Sequence, residues 1–189
     1  LMTSMNPLDM SLKIIPNLTA GHVAINFGLQ GCCRTVSDGF TGGMHAIGQA
    51  MTAIREGDLD MVVCGGAESP LDDLVFADLC STELLAVCND RPERVCRPFG
   101  LGRTGTVAGE GAAVLVLEAL DHARRRGATL RAEIVGFGAA FGDPSINGIR
   151  TSCSRAMRRA LEDSGRDLVS LVSANGDSSP ANDQAEADA

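Results

Sequence analysis

The sequence predicts an α/β fold, and three observations carry that expectation. The runs Leu59 to Cys64 and Ala112 to Glu118 are short, almost continuously apolar and rich in β-branched residues, the pattern of strands buried on both faces. Between such runs, apolar residues recur at helical spacing, as at Met44, Ile47, Met51 and Ile54. Glycines mark the changes of period at Gly28, Gly65-Gly66 and Gly127.

Taken in order, Leu1 to Pro16 has no clear period, and its methionines point to packing against something outside this chain. Leu18, Ala20, Val23, Ala24 and Phe27 form a helical stripe that Gly28 ends. Cys32 to Val36 is a short strand, followed by the turn Ser37-Asp38-Gly39 and the helix whose stripe starts at Met44. After the strand Leu59 to Cys64, Gly65-Gly66 allows a tight turn. From Pro70 to Gly105 the chain is irregular, an excursion over the surface with one helix within Leu71 to Leu85. The strand Ala112 to Glu118 leads into a short helix ending at Gly127, and a strand covers Leu130 to Phe137. A helix from Ile149 to Ser164, with Met157, Ala160 and Leu161 inward, precedes a last strand near Leu168 to Ala174. No internal repeat is present.

Composition narrows the function. At 189 residues and 44% hydrophobic, the chain has material for a core of one sizeable domain or two small ones. A net charge of -8, with neither Tyr nor Trp, argues against a nucleic-acid surface. The basic cluster Arg124-Arg125-Arg126 falls at a helix end, where cations complement the dipole. No apolar run approaches the roughly 20 residues of a membrane helix and no signal pattern opens the chain, so the expected location is the cytoplasm, with no membrane partner. Seven cysteines, an odd number without CxxC spacing, read as buried free thiols, and the three histidines give no metal cluster.

A strand that delivers a residue through a glycine turn to the start of a buried helix is a platform for a nucleophile, because the helix dipole stabilises a thiolate or oxyanion there. Phe40 holds that place. A phenyl ring has no proton to lose and no lone pair to attack with. Cys33 lies seven positions earlier, too far along an extended chain to reach the same spot. Ser37 and Asp38 are nearer, but His22 and His45 sit on apolar helices as packing residues, and His122 follows Asp121 on an outer, solvent-facing helix. The glycines at 100, 102, 105, 109 and 111 precede a strand, whereas phosphate-binding loops follow one and open a helix; they read as tight turning near a pocket.

The run Gly31-Cys32-Cys33-Arg34-Thr35-Val36-Ser37-Asp38-Gly39-Phe40-Thr41-Gly42-Gly43-Met44-His45-Ala46-Ile47-Gly48 resembles the active-site segment of the β-ketoacyl synthase (ketosynthase) family, with Phe40 where the family has cysteine. Pro16-Asn17, Ala20-Gly21-His22, Gly65-Gly66-Ala67-Glu68, Arg97-Pro98-Phe99, Gly109-Glu110-Gly111-Ala112 and Leu115-Val116-Leu117-Glu118 fit the family in the same order. Ala174-Asn175-Gly176-Asp177-Ser178-Ser179-Pro180 resembles the segment carrying a family histidine that assists decarboxylation, with Asn175 in its place. An amide donates a hydrogen bond but does not titrate near neutrality. Asp183 and Glu186 match an acidic pair that looks structural. A third departure is Gly100, Thr104 and Thr106, where the family has an aspartate and an Arg-Asp-Gly-Phe run.

The resemblance implies a thiolase-like layered α/β/α/β/α fold, with this chain its central part: residues 1–128 the latter part of the N-terminal half and 129–189 the start of the C-terminal half. It implies no bound cofactor or metal, and substrates on the phosphopantetheine of an acyl carrier protein. Family members without the cysteine pair with an active ketosynthase as chain-length factors, so Phe40 and Asn175 imply such a silent partner, in a heterodimer or a homodimer. Two alternatives remain open: a non-covalent decarboxylase or acyltransferase acting on carrier-protein thioesters, and a purely structural domain of a multidomain synthase. The ring of Phe40 is expected to fill the mouth of the acyl site. The strand before it, apolar and at a sheet edge by family analogy, is expected to need a partner.

Overall fold

The computed structural model describes residues 15–87 and 90–189; the opening stretch to residue 14 and Cys88 lie outside the described residues. Helix α1 (Asn17–Phe27) ends where Gly28 turns left-handed at φ 63°, its N–H reaching back to the carbonyls of Ala24 and Ile25. A 3-10 turn, Gly39–Thr41, opens α2 (Gly42–Arg55), and strand β1 covers Met61–Glu68. Helix α3 (Asp73–Ser81) is capped by the Asp72 carboxylate, which accepts from the Leu74 N–H at 3.0 Å. Strand β2 (Gly111–Glu118) runs directly into α4 (Leu120–Arg125). Helix α5 (Ile146–Ser164) and helix α6 (Pro180–Ala187) complete the order, both capped by serine hydroxyls, at Ser145 and Ser179.

β1 and β2 pair antiparallel, in register from Met61 opposite Glu118 to Glu68 opposite Gly111. Gly65 and Gly66 lie within β1, where a turn is expected from the sequence. Both glycines serve close approach. A Cβ on Gly65, whose φ is 157°, would run into the Ala113 carbonyl oxygen of β2, and one on Gly66 would stand 3.3 Å from the Gly43 Cα of α2. The helix therefore crosses the ribbon backbone against backbone.

The second half of the chain joins the first through glycines, ion pairs and hydrogen bonds. Gly136 and Gly138 pack against the Ala160 and Ala156 carbonyls of α5 so tightly that a side chain on either would collide with them. Gly48 of α2 receives the Phe137 ring, which a Cβ there would meet at 2.5 Å. Arg55, the last residue of α2, donates to both Asp163 oxygens (3.0 and 2.8 Å) and to the Val135 carbonyl (2.6 Å), and the Phe137 N–H donates to Asp163 at 2.8 Å. These bonds hold the Asp163 carboxyl below its ordinary pKa, the Phe137 N–H first and Arg55 next.

Several expectations are corrected. Cys32 to Val36, Leu130 to Phe137 and Leu168 to Ala174 form no strands, because no described segment offers them a ladder of hydrogen bonds. β1 and β2 are not buried on both faces: Met61, Val63, Val114, Leu115 and Val116 are exposed, since one helix covers one side of a two-stranded ribbon. The buried apolar side chains among the described residues are Ala50, Met51, Val95, Ala123 and Ala185, a far smaller core than the composition allows. Phe27, Met44 and Met157 point outward, the last at the rim of the α5 packing face. Cys32, Cys33, Cys80 and Cys96 are exposed free thiols; burial pushes the half-buried Cys64 and Cys153 thiols up. Among the described residues no helix is long and apolar enough to cross a membrane.

Candidate functional site

The turn before α2 follows from its residues. Gly39 adopts φ 57°, reversing the chain, and the Thr41 hydroxyl donates to the Asp38 carbonyl at 2.9 Å. Asp38 occupies the N-cap of the 3-10 turn, yet its carboxylate is turned to His45, one oxygen lying 2.5 Å from Nδ1. The first turn of α2 contains no acidic residue, so its dipole is not neutralised by its own side chains. Phe40 stands at the tip, 91% exposed.

The second region is polar. Glu186 of α6 accepts the Asn175 N–H at 2.8 Å and the Gly176 N–H at 3.0 Å, fixing the turn on which Asn175 sits exposed. Gly176 is left-handed (φ 49°) and lies on the Pro98-Phe99 element; a Cβ there would stand 3.0 Å from the Phe99 ring. Buried Ser178, also left-handed at φ 70°, accepts the Arg97 N–H on Oγ at 3.1 Å. Buried Asp183 takes the Phe99 N–H at 2.6 Å on one oxygen and the Ser178 N–H at 3.1 Å on the other. The Arg103 Nε, itself buried without a hydrogen-bond acceptor, lies 3.5 Å from Asp183 and supplies the compensating charge.

These contacts bring Arg97-Pro98-Phe99 to Asn175 and its neighbours across about eighty residues of sequence, and give Asp183 and Glu186 the structural role expected of them. Of the altered loop, Gly100 closes a tight turn on Arg97, and the Thr106 N–H donates to the Leu84 carbonyl at 2.8 Å, while Thr104 is exposed. No hydrogen bond among the described residues links Phe40 to Asn175. Ser37 makes none to His45 or Asp38, and Cys33 is exposed and remote from the turn in sequence. His22 is exposed on α1. His122, expected in solvent, is half-buried with Nδ1 2.5 Å from Glu118. Arg126 also grips Glu118 through Nε (2.7 Å) and Nη2 (2.6 Å), and the two partners, Arg126 foremost, bring the Glu118 carboxyl down to about 2.

Sequence reading missed the Asp38–His45, Arg55–Asp163 and Arg103–Asp183 pairs. Only the first carried a local signal, seven residues apart across the start of a helix.

The family model for "Beta-ketoacyl synthase, N-terminal domain" matches residues 3–123, well over half of the chain. The chain belongs to the β-ketoacyl synthase family. It is 39% identical over 180 residues to 3-oxoacyl-(acyl-carrier-protein) synthase 2 of Vibrio cholerae, covering 91% of this chain and 43% of that protein. Against the same-named protein of Coxiella burnetii it is 37% identical over 200 residues, with 99% and 47% covered. Among solved structures, a β-ketoacyl synthase from Burkholderia phymatum superposes with a TM-score of 0.91 at 36% identity, covering 99% of this chain and 46% of that one. The ishigamide ketosynthase/chain length factor gives a TM-score of 0.80 at 29% identity, with 97% and 45% covered. The fold is thus the thiolase-like fold of ketosynthases, and the chain spans less than half the length of these relatives.

Proposed function

We propose that this ketosynthase-type chain belongs to a non-catalytic subunit of polyketide or fatty-acid biosynthesis, which pairs with an active β-ketoacyl synthase as its partner or chain-length factor. The observation that carries this reading is Phe40: the glycine turn and the helix start make a platform for a nucleophile, and the side chain presented is a phenyl ring. Asn175 removes the titratable group at the second position while the hydrogen-bonded frame around it is kept. Substrates ride on the phosphopantetheine of an acyl carrier protein, and no cofactor or metal takes part. Residues 1–128 are the latter part of the N-terminal half and 129–189 the start of the C-terminal half, a division in keeping with a family match that stops at residue 123. Free thiols and no apolar spanning helix among the described residues suit the cytoplasm.

Val114, Val116, Leu168, Leu171 and Val172 are all more than half exposed, more apolar area than a monomer of this size leaves open. The rest of the subunit and its partner cover it. Co-expression of the full-length protein with a cysteine-bearing ketosynthase is expected to give a complex that survives gel filtration. A stable monomer that ignores every such partner overturns the reading. Restoring the thiol by Phe40→Cys is expected to yield rapid alkylation by iodoacetamide but poor condensation, since Asn175 supplies no acid or base; efficient condensation by this single variant contradicts the role given to Asn175.

A further inference from the structure

Two Asn-Gly pairs occur in the sequence, Asn147-Gly148 and Asn175-Gly176. An asparagine followed by glycine is chemically fragile, because the glycine nitrogen, unshielded by a Cβ, can attack the side-chain amide. The fold treats the two pairs differently. Asn147 lies in the first turn of α5, where closing a ring onto the next nitrogen would force the backbone out of helical geometry, and the buried Gly148 N–H donates to the Ser145 hydroxyl at 3.1 Å. Asn175 lies exposed, outside every helix and strand, and Gly176 follows it in left-handed backbone. There two N–H groups converge on one carboxylate, for Glu186 of α6 accepts the Asn175 N–H at 2.8 Å and the Gly176 N–H at 3.0 Å. The neighbouring Asp177 carboxylate is engaged elsewhere, by the Ser179 N–H at 2.8 Å and the Asn182 side-chain amide at 2.7 Å.

The geometry points to Asn175 as a site of spontaneous deamidation that Glu186 holds in check. In that reaction the Gly176 nitrogen gives up its proton and attacks Asn175 Cγ. A nitrogen–Cγ bond forms, the Cγ–Nδ2 bond breaks, and ammonia leaves carrying the proton. Water then opens the resulting succinimide ring at either carbonyl, to aspartate or isoaspartate. Glu186 opposes the first step twice: its hydrogen bond must break before the nitrogen turns toward Cγ, and its negative charge disfavours the anion that deprotonation creates 3.0 Å away. A carboxylate is far too weak a base to drive the step instead, since it releases its own proton in the acid range. Once formed, the new carboxylate stands beside Glu186, and like charges push α6 from the turn. The amide at the centre of the second region thus becomes a titratable acid only in a subunit whose frame has opened. The inference does not depend on what Phe40 does.

The test keeps the full-length protein in mildly alkaline buffer, samples it over weeks, digests the samples in acid and weighs the peptides by mass spectrometry. Deamidation adds about 1 Da to the peptide that carries Asn175, and enzymatic methylation of isoaspartate reads the same event independently. Wild type is expected to react far more slowly than the chain unfolded in guanidinium. Glu186→Ala, which frees both N–H groups, is expected to react at least about tenfold faster than wild type. Glu186→Gln, uncharged but still able to accept a hydrogen bond, should fall between them. Asn147 serves as the internal control, with a rate that neither variant changes. The proposal is overturned if Glu186→Ala reacts no faster than wild type, or if wild type reacts as fast as the unfolded chain. Where Glu186→Ala unfolds, both sites speed up together and Glu186→Gln decides: a rise at Asn175 alone supports the restraint, and an equal rise at both sites overturns it.

Discussion

The two candidate regions are held by different physics. Around Phe40 the chain is fixed by what is missing: Gly39 takes the left-handed turn, Gly43, Gly65 and Gly66 let backbone meet backbone, and the residue at the tip touches little. Around Asn175 the frame is made by carboxylates, with buried Asp183 and half-buried Glu186 together accepting four backbone N–H groups. In both, the scaffold fits the β-ketoacyl synthase family, and the side chains offered at its centre are a phenyl ring and an amide. On the proposed reading, such a frame serves folding and is indifferent to the residue it displays.

If that contrast holds, damage to either frame should be large and changes at either tip small. The largest effect is expected for Asp183→Ala, which strands Arg103 and the Ser178 and Phe99 N–H groups: a loss of about 3–5 kcal/mol in urea unfolding of the full-length protein. Gly65→Ala, which forces a methyl group into the Ala113 carbonyl, should cost about 3 kcal/mol in the same assay. A wild-type stability for either would erase the distinction between frame and tip. At the tip, Phe40→Ala is expected to change stability by less than about 0.5 kcal/mol in the isolated subunit, because the ring is exposed; a larger loss would mean that the ring packs in solution.

Acid sharpens the comparison from another side. Glu118, at the end of β2, titrates near 2, below its value of about 4.3 in an unfolded chain. A depressed carboxylate contributes stability that is fully present above the unfolded value and is lost as the pH falls toward 2. The urea midpoint should therefore drop between about pH 4.5 and pH 2, and Glu118→Gln should flatten that part of the profile. An unchanged slope would remove the grip of Arg126 and His122 from the explanation.

How much of this was legible in the sequence depended on range. The helices α1 and α2 follow from apolar spacing and their glycine stops, and the start of α5 was missed by three residues because Ser145, its cap, precedes a stretch without apolar rhythm. The apolar segments at 32–36, 130–137 and 168–174 have strand composition, but a strand is a relation between two chains of hydrogen-bonding groups, and composition does not name the second. Phe40 and Asn175 were readable because motifs flank them closely. The Arg55–Asp163 pair was not, since 108 residues separate its members and neither sits in a pattern that calls for the other.

The most direct measurement is intact-mass spectrometry of the full-length protein after incubation with acyl and malonyl carrier proteins. A subunit whose platform presents Phe40 should keep its mass and leave both thioesters untouched unless an active ketosynthase is added. An acyl adduct on the isolated protein, or decarboxylated malonyl carrier protein in its presence, would contradict the proposal that the frame has outlived its chemistry.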